Sequence, residues 1–179
     1  IVINALGGLG HPTRLGEADP FSPRVLAEAH ASGLTAVNCT FGYVSGPGDP
    51  FEISVREGAE TDALLRRHEK DLLKILSAAD IRRAKAENKI GIIYGFQNGA
   101  MMGEDASRVD IFANLGVRIF QLTYNPANQI GDGSMAPENR GITPFGREVI
   151  ARLNEQRVMV DLSHSGERTC LEAARISKA

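Results

Sequence analysis

The sequence contains no tryptophan, only two cysteines, and no apolar run that approaches the roughly 18 residues of a membrane span. Cys39 and Cys170 are too few for a disulfide framework, and they suit either buried apolar positions or a single bridge. The 20 basic and 22 acidic residues balance to a net charge of −2, so the chain lacks the positive excess that binds a phosphate backbone. The composition therefore predicts no membrane span and no nucleic-acid partner.

Short apolar runs rich in Val and Ile alternate with longer segments of helical periodicity along the chain. This alternation is typical of successive βα units around a parallel sheet. Each run is apolar on both faces, as strands covered on both sides are. Five strands are predicted in this way, at residues 1–6, 35–43, 90–96, 117–123 and 158–162.

The segments between these strands carry helix starts. Ser22 and Thr143 are predicted N-cap residues, and each is followed by a proline at the first helical position. A long helix is predicted from about Thr61, with Leu72 and Ile75 on its apolar side. Further helices are predicted over residues 80–88, 107–115 and 167–176.

Five βα units are compatible with two α/β architectures. A five-stranded doubly wound sheet would be complete at this length. A TIM-type (βα)8 barrel needs about 250 residues, so the chain would hold the first five of its eight units. No composition shift separates a second domain, and we expect residues 1–179 to form a single domain, partial in the case of the barrel.

In both architectures the functional face lies at the carboxyl ends of the strands. His164 follows Asp161 at the end of the fifth predicted strand, where a neutral imidazole can serve as a metal ligand or a general base. The same position equally suits a histidine that caps the next helix. His11 follows a Gly-rich turn at residues 7–10 and is predicted to be a solvent-exposed loop residue.

The predicted connection from Tyr124 to Gly141 is long for a compact α/β protein, and long ordered loops tend to be functional. It is rich in side chains that donate and accept hydrogen bonds, among them Asn125, Asn128 and Asp132. We therefore expect a loop that faces a substrate. A surface loop built from turn-forming residues is the alternative.

Three ordered motifs carry a resemblance to a known family. They are QLTYN at 121–125 with GDG at 131–133, GITPFGR at 141–147, and VDLSH at 160–164. In order and spacing they resemble the renal, or membrane, dipeptidases, a family of zinc peptidases, and weaker flanks extend the likeness over nearly the whole chain. The resemblance implies the barrel, of which the chain would hold the first five βα units, and a dipeptide or other small-molecule substrate.

The family hydrolyses dipeptides at a two-zinc site, where a bridging water attacks the amide carbonyl. Carried over residue by residue, its first-strand His-x-Asp ligand pair falls on Leu6 and Gly8, and its bridging Glu falls on Gln97. The family also has a ligand His after its fifth strand, and this position falls on His164. Of the ligand positions carried over, only this one keeps a metal-binding side chain. A substrate-binding His of the family falls on Tyr124, whose hydroxyl can still donate a hydrogen bond.

The loss of anionic ligands at these positions weakens binding of a zinc pair for an electrostatic reason. Two divalent cations about 3.5 Å apart repel by on the order of 20 kcal/mol even at an effective dielectric of about 20, so anionic ligands must offset the repulsion. Gln97 supplies no negative charge. The resemblance therefore implies an altered metal site, with at most one weakly held zinc ion on His164 and Gln97.

Two functions follow from the resemblance, and a third lies outside it. The first is a dipeptidase-like hydrolase with an altered metal site, in which His164 is the metal ligand or the base. Its predicted substrate-binding residues are Tyr124, Asn125, Asn128 and Asp132. The second is a non-catalytic protein that binds a small peptide or an amino-acid derivative on the same barrel. The third is a doubly wound domain for another small molecule. A homo-oligomer is compatible with all three functions. The sequence does not indicate a cellular compartment.

Overall fold

The computed structural model describes residues 1–9 and 21–178, in which strands and helices alternate. The strands are β1 (Ile3–Gly7), β2 (Ala36–Thr40), β3 (Leu72–Ile75), β4 (Ile90–Phe96), β5 (Val117–Gln121) and β6 (Met159–Asp161). The helices are α1 (Pro23–Ala31), α2 (Pro50–Arg67), α3 (Ala78–Ala86), α4 (Arg108–Leu115), α5 (Pro144–Glu155) and α6 (Glu167–Ile176). His11 and the last glycine of the predicted Gly-rich turn lie outside the described residues.

The order of the strands decides between the two predicted architectures. The hydrogen-bonded path runs β1-β2-β4-β5-β6, and β3 pairs with β4 beside this path. The pairs β1 with β2, β3 with β4, and β5 with β6 are all parallel. A doubly wound sheet places its first strand in the interior, where the order reverses, whereas a barrel adds its strands one after another. The five predicted strands follow one another in chain order along this path, which confirms an α/β fold of the partial TIM-barrel type. The strand β3 is a sixth strand that the sequence did not predict.

The chain divides into two compact units, each built from two segments. The first unit comprises Ile1–Thr40 and Glu60–Tyr94. Residues of β2, β3, β4 and α1 supply the apolar core. All five residues of β1 are exposed, so the prediction that this strand is covered on both faces is wrong. The buried apolar residues include Val25, Ala36, Val37, Leu72, Ile90 and Ile92.

A polar cluster joins α2, β3 and β4 within this first unit. Lys74 Nζ and the Tyr94 hydroxyl each lie 2.7 Å from Asp62 Oδ1, and the Lys74 ammonium lies 4.3 Å from the centroid of the Tyr94 ring. Burial opposes ionisation of Asp62, but hydrogen bonds from Lys74 and Tyr94 outweigh it and lower the pKa of the carboxyl. Burial, aided by the bond to Asp62, raises the pKa of the Tyr94 hydroxyl. The cluster therefore carries a carboxylate, an ammonium and a neutral phenol.

The second unit comprises Phe41–Ala59 and Gly95–Ala179 and is organised around aromatic rings. Phe96, the last residue of β4, lies at the centre of them and is almost fully buried. Three rings lie with their centroids 4.8 to 5.7 Å from that of Phe96, in edge-on or tilted contact: Phe41, Phe112 and Phe120. This packing anchors the carboxyl end of β4, and the next residue in the chain is the candidate site residue Gln97.

The predicted helix starts of α1 and α5 are confirmed. Ser22 Oγ accepts a hydrogen bond from the amide of Val25 at 3.5 Å, and Thr143 Oγ1 accepts one from the amide of Gly146 at 2.9 Å. A proline occupies the start of each helix. The helices predicted over residues 80–88, 107–115 and 167–176 are present as α3, α4 and α6.

The helix predicted from Thr61 is present as part of α2, but its extension past Arg67 through Leu72 and Ile75 is wrong. A turn, closed by a hydrogen bond from the amide of Asp71 to the carbonyl of His68, follows α2 and leads into β3. Leu72 and Ile75 are both buried on β3. A spacing of three suits one face of a helix, but it equally suits the two faces of a strand that is covered on both sides. Pairing with β4 decides between them, and the sequence spacing does not reveal that pairing.

The helix α2 also begins earlier than predicted. Asp49 Oδ1 accepts hydrogen bonds from the amides of Phe51 and Glu52 at 2.8 and 2.9 Å, which caps a helix that starts at Pro50. The glycine-containing segment before Asp49 is a loop.

Both Cys39 and Cys170 are free thiols. Burial raises the pKa of the Cys39 thiol to about 12, so this thiol stays protonated at neutral pH. Of the two alternatives open from the sequence, the bridge is absent, and the two free thiols are half-buried rather than fully buried. Within the part of the chain that the structure describes, no helix is both long enough and apolar enough to cross a membrane.

Thr143 provides a test of the α5 cap. Besides capping, its Oγ1 donates a hydrogen bond to the carbonyl of Gln129 at 2.7 Å. We expect Thr143→Ala to lower the free energy of unfolding by about 1–2 kcal/mol, because both bonds are lost. Urea denaturation measures this change. Thr143→Ser retains the hydroxyl and should lose clearly less. Equal losses for the two variants would show that the hydroxyl contributes nothing.

Candidate functional site

Three of the predicted site residues belong to the second unit, and each follows the end of a strand. Gln97 comes directly after β4, Tyr124 three residues after the end of β5, and His164 three residues after the end of β6. All three side chains are half-buried. The carboxyl ends of parallel strands meet at one edge of a sheet, and barrel enzymes bind their substrates at that edge. The predicted placement of these residues on one functional face is therefore consistent with the strand order.

The backbone of His164 is held in an unusual conformation. Its φ of +60° lies in the left-handed region, where few residues other than glycine are found. Its carbonyl oxygen accepts hydrogen bonds from the amide of Ser134 at 2.7 Å and from Thr123 Oγ1 at 3.4 Å. The Thr123 hydroxyl in turn lies 2.9 Å from Ser165 Oγ. These contacts maintain a conformation that the local sequence alone would disfavour.

The imidazole of His164 lies against the ring of Tyr124, with centroids 4.4 Å apart and ring planes inclined by 31°. Its Nδ1 lies 2.7 Å from Asn125 Oδ1. No partner for Nε2 is found among the residues that the structure describes. The structure thus brings Tyr124, Asn125 and His164 together and leaves one imidazole nitrogen available to a ligand.

Gln121 connects the ends of β4 and β5, and the sequence analysis did not single it out. Its side chain is fully buried, and Nε2 donates hydrogen bonds to the carbonyls of Gln97 and Thr123, both at 2.7 Å. It therefore fixes the backbone at Gln97 and next to Tyr124. Its Oε1 has no hydrogen-bond partner in the described part of the chain. The sequence feature that could have identified Gln121 is a glutamine within an apolar strand, because a buried amide requires hydrogen-bond partners.

Asn128 is occupied by its own loop. Its Nδ2 donates hydrogen bonds to Asn98 Oδ1 and to the carbonyl of Leu122, both at 2.9 Å. Its Oδ1 accepts hydrogen bonds from the amides of Ile130 and Gly131 at 2.8 and 3.2 Å. These four bonds use the whole hydrogen-bonding capacity of the amide. Asn128 therefore shapes the loop, and the predicted contact with a substrate would require breaking these bonds.

Asp132 is buried, and its carboxylate is taken up by Arg140. The amide, Nε and Nη2 of Arg140 lie 2.7, 3.2 and 2.9 Å from the carboxylate oxygens. These hydrogen bonds lower the pKa of Asp132. The carbonyl of Asp132 accepts further bonds from the amide of Gly166 and from Thr169 Oγ1. Asp132 thus links the loop to the start of α6. Both of its carboxylate oxygens are bonded to Arg140, so the predicted contact with a substrate would compete with these bonds.

The loop folds back on its own start at Gly133. A side chain at Gly133 would collide with the carbonyl oxygens of Tyr124, Asn125 and Pro126. Gly133 also forms an antiparallel bridge with Ser165, in the chain that follows β6. Only a residue without Cβ fits this approach, so the GDG motif has a structural reason.

The residues that the structure describes do not fit a pair of zinc ions. None of their His, Cys, Asp and Glu side chains form a group of three or more that could hold a metal ion. Leu6 and Gly8 have no ligand atoms, and Gln97 offers only a neutral amide. Catalytic zinc sites use three protein ligands, whereas His164 and Gln97 together supply one nitrogen and one amide oxygen.

One family model matches residues 51–179, most of the chain, and is described as membrane dipeptidase (peptidase family M19). The chain belongs to the membrane dipeptidase family. This finding confirms the resemblance inferred from the QLTYN, GITPFGR and VDLSH motifs, all of which lie inside the matched region.

Individual relatives agree with the family assignment. A dipeptidase of Claviceps purpurea, tcpJ, is 32% identical over 104 residues, which cover 57% of this chain and 24% of that protein. The crystal structure of an amidohydrolase from Pseudomonas aeruginosa superposes with a TM-score of 0.86 and 34% identity over 99% of this chain and 50% of its own.

A more distant structure shares the fold. A metallopeptidase from Rhodobacter sphaeroides, solved with a phosphinate mimic of the dipeptide L-Ala-D-Ala, superposes with a TM-score of 0.76 and 19% identity. The superposition covers 86% of this chain and 53% of that one. The chain thus spans about half the length of these two solved structures and about a quarter of the Claviceps purpurea dipeptidase.

Asp132 predicts a pH dependence of stability. Because Arg140 lowers the pKa of Asp132 in the folded state, the ionised carboxylate stabilises the fold above the ordinary pKa of about 4. This contribution is lost as the pH falls through the lowered pKa. We expect Asp132→Asn to reduce the free energy of unfolding at pH 7 more than at about pH 3, as measured by urea denaturation.

The exposed Glu138, which also contacts Arg140, provides the matched control. Glu138→Gln should change stability little at either pH, because exposed ion pairs contribute little. An equal loss for Asp132→Asn at both pH values would contradict the ionic role of Asp132.

Proposed function

We propose that this chain forms part of a dipeptidase-like hydrolase whose metal site is altered. Family membership supports the reaction class. The observation that carries the proposal is the placement of His164, which is packed against Tyr124 and keeps Nε2 free of partners among the described residues. The substrate would be a dipeptide or a related amide, the class that the ligand of the Rhodobacter sphaeroides relative mimics.

In the proposed reaction a water molecule attacks the carbonyl carbon of the amide. His164 Nε2 accepts a proton from that water and passes it to the amine that leaves when the C–N bond breaks. The products are one carboxylic acid and one amine, so every atom of the water is accounted for. The Tyr124 hydroxyl donates a hydrogen bond to the oxyanion that forms during attack, and the Gln97 amide orients the substrate.

The expected contributions are large enough to measure. General base catalysis typically accelerates a reaction by about 10²–10⁴-fold. A single hydrogen bond to an oxyanion contributes about 10²–10³-fold. His164 and Tyr124 are therefore the residues whose removal should matter most.

Zinc enters this proposal through the family only. A bound zinc ion would supply an activated water at neutral pH, but the described residues do not fit the family's zinc pair. A single zinc ion on His164 and Gln97 stays a prediction, and no step above depends on it.

A second candidate is a non-catalytic protein that binds a small peptide or an amino-acid derivative at the same strand ends. The neutral residues Leu6, Gly8 and Gln97, at positions where the resemblance implies metal ligands, favour it. Such a protein would keep the loop contacts of Tyr124 and His164 as binding contacts and would release no product.

His164 decides between the two functions. His164→Asn retains a residue type that tolerates the left-handed backbone but removes the base. We expect it to reduce hydrolysis of L-Ala-D-Ala at least about 100-fold, with little change in the urea midpoint. Release of free alanine, followed by mass spectrometry, measures the rate.

The control is His30→Asn, at a histidine of α1 outside the candidate site. It should leave the rate unchanged. If His164→Asn hydrolyses L-Ala-D-Ala as fast as the wild-type protein, His164 is not the base. If the wild-type protein binds the dipeptide in calorimetry without releasing alanine, the second candidate is correct.

The altered metal site makes its own prediction. After equilibration with zinc and desalting, the purified protein should retain about one equivalent of zinc or less. Gln97→Glu should raise neither zinc content nor hydrolysis appreciably, because Leu6 and Gly8 still lack ligand atoms. Two retained equivalents, or strong activation by Gln97→Glu, would show that other ligands exist, and His11 would be the first to test.

A further inference from the structure

We infer that Asn125 is a positioning residue, which holds His164 in the tautomer that carries its proton on Nδ1. The contact that points to this role is the 2.7 Å separation between Asn125 Oδ1 and His164 Nδ1. An amide oxygen only accepts hydrogen bonds, so the proton in this contact comes from the imidazole. The other nitrogen, Nε2, then carries a lone pair.

The surroundings of Asn125 favour the same orientation of its amide. The Ser134 hydroxyl lies 3.4 Å from Asn125 Oδ1 and donates to it, so both neighbours of this oxygen are donors. The backbone carbonyl of Asn125 accepts a hydrogen bond from the amide of Met135 at 2.8 Å, which fixes the main chain from which the side chain projects.

The imidazole cannot exchange its two nitrogens without breaking other contacts. Its ring lies against Tyr124 at a centroid distance of 4.4 Å, and the carbonyl of His164 is bonded to the amide of Ser134 at 2.7 Å. Tyr124, Asn125 and Ser134 all belong to the loop that Gly133 folds back on itself. The loop therefore determines the position of the ring, the direction of Nδ1 and the tautomer together.

This assignment gives Asn125 a role other than the substrate contact expected from the sequence. With the proton on Nδ1, Nε2 is the acceptor that a general base or a metal ligand requires. With the proton on Nε2, the nitrogen that has no partner among the described residues would be a donor and could not take a proton from water. This consequence for hydrolysis rests on the proposed function, whereas the tautomer itself does not.

Nuclear magnetic resonance reads the tautomer without any substrate. In ¹⁵N-labelled protein at about pH 8, where an ordinary imidazole is neutral, long-range ¹H–¹⁵N correlations distinguish a protonated from an unprotonated ring nitrogen. The His164→Asn spectrum identifies the His164 signals among those of the four histidines. We expect a protonated Nδ1 and an unprotonated Nε2.

Two variants of Asn125 separate its acceptor from its bulk. Asn125→Asp retains an oxygen that accepts the hydrogen bond, so His164 should keep its proton on Nδ1. Asn125→Leu has similar size and no acceptor, so the proton should move to Nε2 in at least part of the population. A wild-type protein with the proton on Nε2, or an Asn125→Leu variant with an unchanged tautomer, would overturn the inference.

The wild-type spectrum and Asn125→Asp keep the test decisive if Asn125→Leu does not fold. Where alanine release is measurable, Asn125→Leu should lower kcat by about 10–100-fold with a smaller effect on KM, the loss typical when a hydrogen bond that orients a ligand is removed. Asn125→Asp should retain most of kcat. A protein that shows the Nδ1 tautomer and no hydrolysis would support this inference and contradict the proposed function.

Discussion

Three backbone carbonyls, those of Tyr124, Asn125 and Pro126, occupy the space that a side chain at Gly133 would need, and the candidate site depends on this approach. Because the loop closes at a point where no side chain fits, its first residues are held beside the chain that follows β6. The ring of Tyr124 then lies against the imidazole of His164, and the amide oxygen of Asn125 contacts its Nδ1. Packing of the backbone, not strength of any single polar contact, sets the geometry of the site.

Much of the fold could be predicted from sequence because its signals are local. The alternation of apolar runs and helical segments indicates five of the strands, and capping residues such as Ser22 and Thr143 indicate helix starts. The alternation overestimates burial, because all of β1 is exposed and β6 is exposed or half-buried. The strand β3 could not be found in this way. Leu72 and Ile75 have a spacing that suits both a helix and a strand, and their pairing with β4 is a tertiary contact. The choice of barrel over doubly wound sheet required strand order, which the motifs implied only through the family.

The candidate site could be predicted in part. The position of His164 after an apolar strand and the QLTYN motif predicted His164 and Tyr124 on one functional face, which is consistent with the strand order. Composition could not tell loop-forming side chains from ligand-facing ones, because Asn and Asp serve both purposes equally well. The side chains of Asn128 and Asp132 form hydrogen bonds with groups of their own loop. Gln121 was overlooked because a single amide in an apolar run carries no sign of which carbonyls it meets.

The cluster of Lys74, Asp62 and Tyr94 in the first unit has a consequence for folding. The strand β3 has only four residues, and apolar packing alone would allow it to slide along β4. A shift by one residue would carry the Lys74 ammonium to the opposite face of the sheet and leave the Asp62 carboxylate and the Tyr94 hydroxyl without their cation. The polar contacts are therefore satisfied in one register of β3 on β4 and lost in the shifted ones. Charge complementarity thus specifies a register that the length and hydrophobicity of β3 do not.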